Sequence, residues 1–124
     1  LKYTYLAVPY SHEIEWVRLE RYNKVCRAAG VLMLDGEAVF SPISHTHQIG
    51  LCINREMDHD FWMRADMPFL AHASELKVLL LTGWDASRGV QFEMKIARQL
   101  GIPIHLIGES YIDALAENQR HRAA

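Results

Sequence analysis

One carboxylate stands in unusual company. Glu93 lies four residues after Gly89 and four before Ala97, so on a helix it shares a face with two small residues that leave room for a ligand. It falls within about two turns of the expected helix start, where the helix dipole favours an ionised carboxylate. Two readings stand: an anion placed there for the dipole alone, or one that faces a developing cation. Asp66 poses a second question. It sits near the end of an expected helix, an unfavourable place for an anion. It is either a solvated surface residue, or it finds a partner, or its pKa is raised and it can deliver a proton. Tyr5 shares one face of the first strand with Tyr3. Its ring is plain packing, or its hydroxyl bonds a nearby carboxylate and holds it in one rotamer.

Other polar residues cluster in loops. Ser87-Arg88-Gly89 opens the helix that carries Glu93, and a hydroxyl, a guanidinium and free amides can cradle a phosphate or carboxylate there. Ser87 as an ordinary N-cap accounts for the same residues. His45 and His47 would face one way if extended, and with Asp58, His59 and Asp60 they suggest a metal-dependent hydrolase. The spacing matches no diagnostic ligand pattern, so no metal is expected. The two histidines should instead line a crevice or bond backbone.

The elements that must position these groups read in order. Tyr3 to Val8 is the first expected strand, rich in aromatic and β-branched residues. Pro9-Tyr10-Ser11 ends it, with Ser11 as potential N-cap of a helix from about His12 to Ala29 that Gly30 closes. Asp35-Gly36 is a turn and Ala38 to Phe40 a short strand. A polar loop from Ser41 to His47 continues towards Asn54. Arg55 to about Leu70 is expected to be helical, with Pro68 bending or ending it. Leu76 to Leu81, Gly89 to Leu100 and Pro103 to Ile107 then form a strand–helix–strand crossover, with Gly101 stopping the helix. The tail holds one or two amphipathic turns and a polar end. This alternation predicts an α/β fold: an open parallel sheet of four or five strands with helices on both faces. Ligands of such sheets bind beyond the carboxyl ends of the strands, where the loops from Pro9, Ser41 and Thr82 emerge.

At 124 residues the chain is about one domain, half hydrophobic and 23% charged. Its net charge of −2 provides no basic field for a nucleic acid polymer or an anionic membrane, while a small anion needs only a local site. Cys26 and Cys52 lie in no metal or redox spacing and read as buried thiols. No apolar run is long enough for a membrane span, which makes a cytoplasmic protein the default expectation.

Taken together, Tyr5-Leu6-Ala7-Val8-Pro9-Tyr10-Ser11, the later Asp66, and Ser87-Arg88-Gly89-Val90-Gln91-Phe92-Glu93-Met94 followed by Gly101-Ile102-Pro103-Ile104 resemble the nucleoside 2-deoxyribosyltransferase superfamily. The likeness is closer to a small, uncharacterised bacterial and phage branch. It implies a flavodoxin-like fold in residues 1–108, with 109–124 a C-terminal helical tail, and cleavage or transfer at the N-glycosidic bond of a nucleoside or nucleotide without a cofactor. By the resemblance Glu93 is the nucleophile, Tyr5 orients it and Asp66 assists departure of the base. Pro9, Tyr10, Ser11, His45, Ser87, Arg88 and Gly89 are the expected substrate-binding set, with Ser11, Ser87 and Arg88 placed for a 5′-phosphate. A homo-oligomer is also implied, and Phe61, Trp62, Met63 and Met67 form either an interface or core. The sequence departs from the transferases in having Ser87 near the place of an acidic residue, and from the nucleotide hydrolases in having Pro9-Tyr10 where they are glycine-rich. A nucleotide-sensing module using the same crevice is the rival from another class.

Overall fold

The computed structural model describes residues 2–123. Ten regular elements follow one another: β1 (Thr4–Ala7), α1 (Glu15–Leu34), β2 (Val39–Phe40), α2 (Pro42–Ile53), α3 (His59–Ala71), β3 (Glu75–Leu79), a 3-10 turn (Trp84–Ala86), α4 (Arg88–Gln99), β4 (Ile104–Ile107) and α5 (Glu109–Ala123). The four strands are all parallel, in the order β2-β1-β3-β4. This is an open α/β sheet of the flavodoxin-like kind, and its strand order reverses between β1 and β3.

Period-two alternation splits each strand between two cores. Leu6, Val8 and Leu79 face α1 and α5, where they meet Val25, Ala28, Leu32 and Ile112. Tyr5, Ala7, Leu76 and Val78 face the other side, where they meet Leu70 of α3 and Val90, Met94 and Ala97 of α4. The sheet is thus covered on both faces, as parallel strands require.

Several boundaries differ from those the sequence suggests. Ser11 is no cap: α1 begins at Glu15 behind Ile14, which provides no side-chain cap. Gly30 does not end it either, because packing of Val31 and Leu32 in the core carries the helix on to the Asp35-Gly36 turn. The expected polar loop after Ser41 is helix α2. Ser41 caps it by accepting from the Ser44 amide and Pro42 occupies its first turn, a start signal that outweighs the polar composition. Arg55 to Met57 lie outside α3, which Asp58 caps through the Phe61 amide at 2.9 Å. Pro68 sits inside α3, which continues three residues past it. The tail is continuous helix through Ala123, with Ile112 and Ala116 buried. Neither cysteine is buried: Cys26 is half-buried and Cys52 exposed.

Candidate active site

Where the strand order reverses, the ends of β1 and β3 come together near the start of α4, the edge at which ligands of such sheets bind. Ser87 caps α4 by accepting from the Val90 amide at 3.3 Å, which sets the helix against the sheet at once. Val90, Met94 and Ala97 bury its apolar face, and Glu93 is drawn under with them, only 6% exposed. Tyr5 in β1 is wholly buried and donates its hydroxyl to Glu93 Oε2 at 2.5 Å. The other oxygen, Oε1, has no protein donor, yet it is not sealed from solvent. It is the atom that a ligand at that edge would meet.

Asp66, also 6% exposed, enters from α3. Its Oδ1 is buried without any hydrogen-bond partner, the only such side-chain atom among the described residues. Burial pushes its carboxyl up to about 6. Burial likewise drives Glu93 upward; the Tyr5 hydrogen bond pulls it back, the Asp66 charge pushes it up again, and the outcome is about 8. Desolvation thus pushes Glu93 towards its neutral form, against the ionised form that the dipole of α4, starting five residues away, favours. Burial, then the negative charges of Glu93 and Asp66, raise the Tyr5 phenol far above its ordinary value, so that it serves only as a donor.

The remaining expected residues divide. Tyr10 bonds His47 Nδ1 at 2.7 Å, and the His47 ring stacks on Tyr22 at 3.9 Å, tying the first loop to α2 and α1. Pro9 is fully buried. Exposed Ser11 lies outside any helix and lends only its carbonyl, to Arg21. The two converging helix starts expected for a phosphate thus reduce to one, that of α4. There Arg88 is exposed, and among the described residues it has no ion-pair partner. At Gly89 a Cβ would lie 3.9 Å from His59 Cε1 and 4.0 Å from Ser87 Oγ, which places His59 beside the cradle. His45 lies against Phe40 and Phe69, whose rings stack at 4.2 Å, and Phe40 in turn meets the Tyr5 ring at 5.8 Å. Among the described residues no three His, Cys, Asp or Glu side chains gather as metal ligands, so the His45, His47 and Asp58 to Asp60 set does not assemble. Trp62 is half-buried against Gly50 of α2, and Met67 packs on the core below α3. The sequence reading passed over Phe40, Phe69, His59 as a neighbour of α4, and Arg21. Only distant contacts identify them, and no local pattern signals those.

A family model described as "Domain of unknown function (DUF1937)" matches residues 2–109. No curated protein matches the chain. Among solved structures it is similar to a 2-deoxyribosyltransferase from the psychrotolerant bacterium Bacillus psychrosaccharolyticus. The TM-score is 0.55 at 22% identity, covering 85% of this chain and 71% of that one. At that identity the likeness is one of fold. No described helix is long and apolar enough to cross a membrane.

Proposed function

The chain belongs to the family described as DUF1937, and we propose that it cleaves the N-glycosidic bond of a nucleoside or nucleotide, with Glu93 as nucleophile. One observation carries the reading. A buried carboxylate is held at 2.5 Å by a buried tyrosine while its second oxygen is left without a protein donor and not sealed from solvent. Such an atom has the placement for an anomeric carbon. Departure of the base leaves a cationic, oxocarbenium-like sugar, which Glu93 Oε1 captures as the C1′–N bond breaks. Asp66, whose carboxyl is raised to about 6, hands its proton to the departing nitrogen. Water then releases the sugar, or a second base takes it. The likeness of fold to a 2-deoxyribosyltransferase agrees with this reading.

The start of α4, with Arg88 and the amides past Ser87, suits a 5′-phosphate, so nucleoside monophosphates are the favoured substrates in this proposal. The protein acts in this reading as a homo-oligomer in the cytoplasm, without cofactor. A nucleotide-sensing role remains the second reading, since a Glu93 that is neutral at pH 7 in the free protein is also what a binding pocket would tolerate. A screen of nucleosides, their 5′-monophosphates and NAD for released base separates the two. Release from any of them supports the enzyme, and binding without release supports the sensor.

A further inference from the structure

Helix α1 is far longer than the strand it covers. Its 20 residues rise about 30 Å, against about 13 Å for the four residues of β1. Its buried residues begin only at Val25, so the first half of the helix stands above the carboxyl edge of the sheet. Arg21 is on that half. Its Nη1 donates to the Ser11 carbonyl and its Nη2 to the Thr82 carbonyl, each at 3.0 Å. Ser11 belongs to the loop that leaves β1, and Thr82 to the loop that leaves β3. These are the two strands on either side of the reversal, so one planar guanidinium bridges the loops that leave them.

Two further facts show that the site is built around this bridge. No carboxylate pairs with Arg21 among the described residues, so the fork is given wholly to loop backbone. Gly83, next to Thr82, has φ +93°, and a Cβ there would lie 3.0 Å from Arg21 Nη2. Backbone conformation and the bridge both call for glycine at 83. The loop it holds on the other side, residues 8–14, has no regular hydrogen bonding of its own. Side chains tie it instead: Tyr10 to His47, and Arg18 to the His12 carbonyl.

We propose that Arg21 is a positioning residue that locks the two loops to each other, and through them fixes where the sugar lies over Glu93. The bridge stands on its own geometry, while the consequence for catalysis rests on the glycosidic reading above. The test is Arg21→Met, which keeps an apolar stem and removes the fork, read by hydrogen exchange and by base release. Exchange should rise at least tenfold at the hydrogen-bonded amides of both loops, Ile14 in one and Trp84 and Ala86 in the other, with β1, β3 and α4 unchanged. KM for the best substrate should rise and kcat fall, and added guanidinium at concentrations below those that unfold the parent should recover part of both. Exchange that rises in one loop alone, or in neither, overturns the bridge. Unchanged KM, with kcat following the folded fraction, overturns the positioning role. If Arg21→Met does not fold, Arg21→Lys carries the same measurements, and one loop but not both should then stay protected; protection of both would refute the fork. A parent protein that releases no base sinks the glycosidic reading, and the exchange result still decides the bridge.

Discussion

Replacing Glu93 by Gln should abolish base release and, at the same time, stabilise the fold. An unfolded glutamate titrates near 4.5, whereas the enclosed Glu93 is pushed up to about 8. Below pH 4.5 both states carry the proton and the site costs nothing. Between the two values the unfolded chain ionises while the folded chain stays neutral, so stability falls as pH rises and levels off above 8. At about 1.4 kcal/mol per pH unit, the loss is roughly 3 kcal/mol by pH 7 and between 4 and 5 above pH 8. Glu93→Gln keeps the shape and still accepts from Tyr5, but it has no charge to desolvate. Its melting temperature should exceed the parent's by on the order of 10 °C at pH 7, and the gap should vanish near pH 4. The assay is a melting curve for each protein from pH 4 to 9, beside base release from the best substrate found. A Glu93→Gln protein that melts below the parent at pH 8, or with the parent's pH slope, would refute the desolvation argument. One that melts higher and still releases base would refute the nucleophile.

Tyr5→Phe should cost about 1–3 kcal/mol, because Glu93 Oε2 loses its only donor inside the protein, and with Glu93 pushed further up the alkaline limb of the profile should move to higher pH while the plateau drops; denaturant melts and a pH–rate profile check both. Asp66→Asn should remove the alkaline fall and leave a single rise as Glu93 ionises, and should slow base release most for poor leaving groups, as measured across a substrate series. Arg88→Ala should weaken binding of a nucleoside 5′-monophosphate about thirtyfold (about 2 kcal/mol) and leave the nucleoside unchanged, as titration calorimetry would register. For the parent, kcat/KM should rise up to about pH 6, stay level to about pH 8 and fall above it, since Glu93 must be ionised and Asp66 protonated; a profile that lacks either limb would contradict the assignment.

The alternation of strands and helices, and with it the open parallel sheet, was legible because short apolar runs and one strongly patterned helix leave little choice. Val90, Met94, Ala97 and the Glu93 between them declare the buried face of α4 at once. What was not legible is instructive. The start of α2 was hidden by its own composition: Ser41-Pro42 is a start signal, but Ser44, His45, Thr46 and His47 look like loop. The length of α1 past Gly30 depends on Val31 and Leu32 reaching a core that forms only when α5 closes over it. Glu93 was legible as a candidate and its charge state was not, because the dipole is a local property whereas desolvation depends on β1, α3 and α4 meeting. Arg21 had no signal at all. Its partners lie 10 and 61 residues away and are backbone carbonyls, which sequence does not mark.

The price of the buried pair bears on the chemistry proposed for it. Asp66 near 6 and Glu93 near 8 mean that at pH 7 the free protein holds its proton mostly on the residue that must attack, and lacks it mostly on the residue that must donate. The reverse arrangement, which cleavage needs, is the minor form. The same enclosure that makes this form rare also makes it reactive. A carboxylate with one oxygen on Tyr5 and little water on the other has few competing partners, so a developing sugar cation meets its charge almost unscreened. Substrate binding alters the balance in a definite direction. A base nitrogen beside the Asp66 carboxyl favours its protonated form by accepting that proton in a hydrogen bond, and a cationic ribose lowers the cost of ionising Glu93. Both effects favour transfer of the proton from Glu93 to the Asp66 side of the crevice. The resting pair is therefore stable in the form that does not react, and the ligand itself supplies the interactions that select the form that does.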